Sequence, residues 1–429
     1  MRMTNEDVWK TLQKTSGEIT GPVIFDFVCW VLDEAVRRKI KTLYFLARDG
    51  YILHKIAGLV VKKFDLPVTC KYLYCSRNSL RLPTYHFIGE EAYEILFLSG
   101  YNVTVNSLLA RGSLSDSKKK QICCELKMDK TECDKPLSKL ELRDIAEQFR
   151  GNQTYCNSIR AASLNAYPET IGYLKQEGLF EQEQVAIVDS GWTGSIQRSL
   201  RQLMYSVGFT GTIIGFYFGM YTQSKSQLDG TYLTWYFNEH GRALDKALFC
   251  NNLFECILAA PHGMTLAYQK QNGIYTPCLA QGPGESDFRF VQIQIEGILN
   301  YVESVLSKGP IKFERQTALK NARKRLHRFM AHPTRAEASA FGEFLFDDDV
   351  KDENKRALAD EKQITLLKDY FIPIRILRRL KKNGGHIPEL FWAYGTIALL
   401  PKTQKRRWYW WNVCVWELLK YKVHEITLE

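Results

Sequence analysis

Two short apolar runs in this 429-residue chain end in the same way. TLYFLARDG (42–50) and VAIVDSGWTG (185–194) are each too short for a buried helix. Each meets an acid and a glycine, then passes into a stretch with helical periodicity. A brief apolar run closed by turn chemistry and followed by an amphipathic segment reads as strand, turn and helix. The spacing predicts strands at Leu43–Ala47 and Val185–Val188, with turns at Arg48-Asp49-Gly50 and Asp189–Gly194. A further strand is expected at Lys71–Cys75, leading into a polar, basic loop, and another within 210–221. Strands that alternate with helices predict an α/β fold built on a parallel sheet.

The remainder of the chain reads as helix. Residues 22–40 are apolar at helical spacing and end in basic residues, as a helix C-terminus favours. Residues 87–183 are mostly helical and polar, with a charged stretch at Ser115–Lys139, and read as an insertion or mobile region. Gly282-Pro283-Gly284 punctuates the chain, and helical patterns follow it. The expected organisation is an α/β domain over 1–282, carrying the insertion, and a largely helical region over 283–429. Apolar residues at 45% and charged residues at 24% exclude a disordered chain.

The formal net charge of +11 points to acidic partners, and it is unevenly spread. From Phe371 to Glu429 stand eleven Lys/Arg against four acids, together with five of the nine Trp. KTQKRRWYWWNVCVWELLKYK (402–422) reads either as a helix lying on an anionic membrane surface or as one whose Trp residues pack on the domain. Asp347-Asp348-Asp349 reads as a solvated acidic loop. Met1–Lys10 is polar, and no apolar run reaches the length of a membrane span, so a cytoplasmic protein peripheral to the inner face of its membrane is expected. The eleven cysteines follow no metal-ligand rhythm and read as free thiols.

The segment richest in chemistry is IVDSGWTGSIQ (187–197). A helix opening at Ser195 offers free N–H groups and a positive dipole to a phosphate. Gly191 and Gly194 would let the backbone approach as an anion nest, and Thr193 and Ser195 add hydroxyl donors. Asp189, at a strand's carboxyl end, would hold sugar hydroxyls or a metal-bound ligand.

On these residues the chain resembles the type I phosphoribosyltransferases. Asp189 matches the first acid of their ribose-phosphate loop, and Thr193-Gly194-Ser195 matches its phosphate cradle. Ser190 stands where the family has a second acid, and the linker, with Gly191 and Trp192, is one residue short. Ala47-Arg48-Asp49-Gly50 lies where the family holds pyrophosphate, and Ser76, Arg77 and Arg81 follow the second strand. FLARDGYIL, YLYCSRNSLRLP, VDSGWTGSIQ, IIGFYFGMY and FECILAAPHGMTLAY also resemble segments of bacterial polysaccharide-assembly proteins. The resemblance implies a phosphoribosyltransferase-like core that moves 5-phosphoribosyl from phosphoribosyl diphosphate to a lipid-linked glycan. It implies Mg²⁺ at the diphosphate and a separate HAD-type phosphatase that leaves ribofuranose. Arg48, Arg77 and Arg81 would neutralise the diphosphate, Asp189 would stabilise charge on the ribose, and Glu255 or Asp49 would serve as base.

Other classes stay in view. A sensor of phosphoribosyl diphosphate that regulates nucleic acid would carry a helix-turn-helix, and none is read here. A nucleobase phosphoribosyltransferase fits the loop but not the length. A HAD phosphatase would need DxDx[TV], and FLARDG has Arg48 before its Asp. His262, in Pro261-His262-Gly263, reads as a turn residue more readily than as a base.

Overall fold

The computed structural model describes residues 3–100, 103–223, 230–346, 356–380 and 390–428, with the side chains of all but 377–380 and 423–428. The Asp347-Asp348-Asp349 loop and the side chains of Arg378, Arg379, Lys381 and Lys382 lie outside the described parts. The chain is α/β, with a core of one five-stranded parallel sheet. Its strands are β1 (Thr42–Leu46), β2 (Thr69–Leu73), β3 (Gln184–Trp192), β4 (Thr212–Met220) and β5 (Thr231–Phe237).

Both faces of the sheet are buried. Leu43, Phe45, Ala186, Val188, Phe216 and Phe218 point to one side, into a core shared with the Gly21–Arg37 and Gly50–Phe64 helices. Tyr44, Leu46, Val185, Ile187, Ile213 and Tyr217 point to the other. There they meet the Gln153–Gln176 and Ser195–Ser206 helices and a hairpin of β6 (Thr265–Gln271) and β7 (Ile274–Leu279). This two-sided burial is why the strands read as continuous apolar runs rather than as alternating ones.

The strand order is β2-β1-β3-β4-β5. The chain leaves β1 toward one edge to make β2, then returns to lay β3 on β1's other flank. The carboxyl ends of β1 and β3 therefore diverge into a crevice, the place where open α/β sheets hold ligands.

Three local expectations change. Strand β3 runs on to Trp192 instead of ending at Val188, because β4 continues beside it and pairs Asp189 with Tyr217, Gly191 with Gly219 and Trp192 with Met220. Only Thr193 and Gly194 separate β3 from its helix. The basic loop after β2 is a short helix, Arg77–Arg81, capped by Ser76, whose hydroxyl accepts from the Ser79 N–H at 3.0 Å. The insertion is folded, with a core of its own around Leu96, Leu109, Ile122, Phe149 and Tyr155.

Beyond residue 283, the helices Glu285–Ser307 and Arg315–Leu326 contribute Ile298, Val302 and Leu326 to the same core as β1 and β4. The last helix, Gln404–Leu428, divides its tryptophans. Trp416 is buried and Trp410 donates to the Ala331 carbonyl at 2.7 Å, whereas Trp408 and Trp411 are 45% and 63% exposed.

Candidate active site

The crevice at the sheet's carboxyl edge gathers acids from three elements. Asp49 follows β1 at the start of the Gly50–Phe64 helix, Asp189 lies within the extended part of β3, and Glu255 projects from the Asn251–Leu258 helix. The Ser190 hydroxyl donates to Asp49 Oδ2, tying β3 to the turn after β1. The Trp192 indole N–H donates to Glu255 Oε1 at 2.6 Å. Trp192 sits at φ +82°, in the left-handed region, with its ring among Tyr221, Phe237, Phe249 and Phe254. A bulky residue held there is a strained feature of the kind that functional sites carry.

Two of these acids have a raised proton affinity. Burial pushes the Asp189 carboxyl well above the ordinary carboxylate range, and the neighbouring charges of Asp49 and Glu255 push it further. The N–H groups of Ser190 and Gly191 only partly offset this. Asp49 is also raised by burial, against the pull of the Ser190 hydroxyl and the charges of Arg48 and Arg77. Like charges sharing a low-dielectric site favour protons or cations.

A cavity of about 110 Å³ opens beside them, lined by Arg48, Asp49, Glu255, His262, Asp287 and Phe344 among others. That is room for a phosphate-sized group or several waters. Two wider grooves, about 580 and 550 Å³, lie on the surface between helices Asn5–Thr15 and Glu285–Ser307 and beside β6. Neither is at the carboxyl end of the central strands, so the smaller cavity is the candidate site.

The sequence-predicted residues divide. Arg48, Asp49, Arg77, Asp189, Ser190 and Glu255 come together. Thr193 is exposed and Ser195 opens the Ser195–Ser206 helix, so the helix N-terminus remains a place for a phosphate. Gly194, at φ +66°, makes the turn into that helix. Gly191 is not part of an anion nest. It is laddered to β4, and a Cβ there would meet the Gly219 carbonyl oxygen at 2.1 Å, so its role is close strand packing. Gly50 likewise lets its helix start against Phe45, where a Cβ would sit 2.8 Å from the backbone. The Ser76 hydroxyl donates to the Thr265 carbonyl at 2.7 Å, and that bond joins its cap as a structural role. Arg81 lies close to Arg77, with Tyr85 and Arg111 also near, and burial together with the charge of Arg77 lowers its pKa to about 10.

Trp192 gains a role that the loop reading did not give it, as the anchor of Glu255. His262 is brought in from sequence far away: its ring lies among Tyr51, Tyr72 and Tyr74 and also lines the cavity. Nothing local in Pro261-His262-Gly263 signals that placement.

Among the described residues, no group of three His, Cys, Asp or Glu side chains forms a ready-made metal cage. Mg²⁺ does not need one. It keeps waters and substrate phosphates and takes one or two carboxylates from the protein. Asp189, buried, and Asp49, half-buried, both with raised proton affinity, fit that requirement. No protein-family model and no curated protein matches this chain.

Proposed function

We propose that the chain is a Mg²⁺-dependent phosphoribosyltransferase acting on phosphoribosyl diphosphate, with a hydroxyl of a lipid-linked glycan as acceptor. The observation that carries this reading is the meeting of Asp49, Asp189 and Glu255 with Arg48 and Arg77 where β1 and β3 part. Arg48 and Arg77 supply positive charge for a diphosphate. Mg²⁺, when bound, would neutralise the leaving diphosphate, held by Asp49 and Asp189. Asp189 then faces the developing positive charge on the ribose ring, and fixed charges of this kind carry much of such catalysis. The N-terminus of the Ser195–Ser206 helix would anchor the 5-phosphate, away from the reacting carbon.

The acceptor class rests on the resemblance and on the last helix. Among the described residues, no helix is long and apolar enough to cross a membrane. Trp408, Trp411 and Leu419 nevertheless form one exposed apolar stripe, at helical spacing, with exposed Lys405, Arg407 and Lys422 beside it. That pattern suits peripheral attachment to an anionic bilayer from the cytoplasmic side.

The test incubates the full chain with phosphoribosyl diphosphate, Mg²⁺ and synthetic lipid-linked N-acetylhexosamines. A mass gain of one phosphopentose is expected. Gain only on a free nucleobase would replace the acceptor, and no gain on any acceptor would overturn the reading.

A second reading is favoured by one observation. Asp49 and Asp189 stand at the carboxyl ends of adjacent central strands, a placement in which one carboxylate could attack phosphorus while the other helps hold a cation. Release of inorganic phosphate from sugar phosphates, without pentosyl transfer, would establish this phosphohydrolase instead.

A further inference from the structure

The transfer reaction needs a group to take the proton of the acceptor hydroxyl, and two carboxylates of the site already accept hydrogen bonds from the protein. Asp49 accepts from the Ser190 hydroxyl and feels the charges of Arg48 and Arg77. Glu255 accepts the Trp192 indole proton. His262 differs from both. Its Nδ1 lies 2.9 Å from the Gly263 carbonyl oxygen, which can only accept, so Nδ1 carries the proton. Its Nε2 is therefore the bare nitrogen, and the Tyr72 hydroxyl, 2.8 Å away, must donate to it.

The pair is held rigidly. Tyr72 belongs to β2, and its ring packs edge-on to Tyr51 and Tyr74 at centroid distances of 5.8 and 5.0 Å. His262 packs on the same rings and lines the cavity with Arg48 and Asp49. Tyr72 is close enough to Asp49 to feel its charge. Burial and the charge of Arg48 hold the His262 imidazole below its ordinary pKa, which keeps it neutral and able to accept a proton at pH 7. The groups facing the pair are Arg48, Asp49, Tyr51, His54, Tyr74 and Cys75, with Glu255 and Asp287 across the cavity.

We propose that Tyr72 and His262 form the proton-accepting relay of the transferase, with the acceptor hydroxyl seated against Tyr72 Oη. This rests on the transferase reading given above. As the acceptor oxygen bonds to C1 of the ribose, its proton passes to Tyr72 Oη, and the Tyr72 proton passes to His262 Nε2. The C1–oxygen bond to diphosphate breaks, and its electron pair leaves with the diphosphate. The imidazolium then returns its proton to solvent. The aromatic rings around the pair offer faces to a sugar ring, which suits a glycan acceptor.

The experiment compares wild type, Tyr72→Phe, His262→Ala and His262→Gln in the phosphopentose-transfer assay, with donor binding followed by calorimetry. Loss of a positioned base costs about 10²-fold or more in kcat. The expected result is that loss in all three variants, with unchanged donor affinity and a flattened acid limb of the pH–rate profile. Added imidazole should restore part of the rate to His262→Ala but none to Tyr72→Phe. Normal kcat in the His262 variants, beside an active wild type, overturns the relay and leaves the transferase reading standing. An inactive wild type overturns both. A variant that loses rate, donor affinity and melting temperature together, with no imidazole rescue, shows a structural role and also overturns the relay.

Discussion

Two charged clusters in this chain hold acids out of water, with opposite results. At the crevice, Asp49, Asp189 and Glu255 lie close together; burial raises the proton affinity of Asp49 against the pull of Arg48 and Arg77, and burial plus the charges of Asp49 and Glu255 raise that of Asp189. About the Ala243–Ala247 helix, Asp245 is fully buried, its side chain only 1% exposed. Yet Arg323 Nε lies 2.9 Å from one carboxylate oxygen and His327 Nε2 lies 3.3 Å from the other. Burial alone would raise Asp245, but His327, Arg323 and Arg242 together bring it below the ordinary carboxylate range. A cluster that satisfies its own charge ties helices together. The crevice instead leaves Asp49 and Asp189 with raised proton affinity. The difference, rather than burial or the presence of acids, is what makes the crevice the candidate functional site.

The sharpest way to break this comparison is to remove one acid from each cluster. Asp189→Asn should lower phosphopentose transfer by at least about 10³-fold, the scale of losing a main electrostatic element of a transition state. It should leave the melting temperature unchanged or raised, because it relieves repulsion. A near-normal rate would remove Asp189 from the reaction. Asp245→Asn should do the reverse. It leaves Arg323 facing a neutral group, and breaking a buried pair costs about 3 kcal/mol. Urea unfolding would register that loss, while the fraction still folded should turn over normally.

The pH behaviour separates the clusters as well. An acid raised by folding holds a proton that the unfolded chain has already shed, so Asp49 and Asp189 cost stability as pH rises through the ordinary carboxylate range. An acid lowered by folding gives stability that is present above that range and is lost as pH falls through the folded value, as for Asp245.

Much of this architecture was legible in the chain. Short apolar runs leading into Arg48-Asp49-Gly50 and Asp189-Ser190-Gly191 mark two strands, and a parallel sheet brings their carboxyl-terminal parts to one edge. What the sequence hid is cooperative. The ladder that carries β3 to Trp192 depends on β4 lying alongside, so the glycine at 191 looked like a loop residue. The bond from Trp192 to Glu255 and the bond from Tyr72 to His262 each join residues distant in the chain, and no local pattern encodes them. The split of the C-terminal tryptophans is also tertiary. Trp410 turns inward because the Ala331 carbonyl is there to receive its N–H.

Gly191→Ala tests that correction directly. If Gly191 packed around an anion, alanine would weaken donor binding and spare the fold. With its φ of +117° and the Gly219 carbonyl so near, alanine should instead destabilise the chain by about 2 kcal/mol. Chemical denaturation should show that loss, and donor affinity per folded molecule should stay close to wild type.

Asp26 supplies the smallest expected effect and a third kind of acid. It lies in the Gly21–Arg37 helix, where burial raises its pKa to about 6 and the charge of Arg325 only partly opposes the rise. It has neither the close neighbouring acids of Asp189 nor the full pairing of Asp245. The folded chain keeps its proton to higher pH than the unfolded chain does, so ionisation of Asp26 subtracts stability as pH climbs from about 4 to about 6. Asp26→Asn removes that penalty. It should leave stability near wild type below pH 4 and gain on the order of 1 kcal/mol by pH 7, with no change in transfer rate. Urea unfolding at both pH values measures the difference. A loss of stability at pH 7 would mean that the Arg325 attraction outweighs burial, which would place Asp26 with Asp245 among the self-satisfied acids.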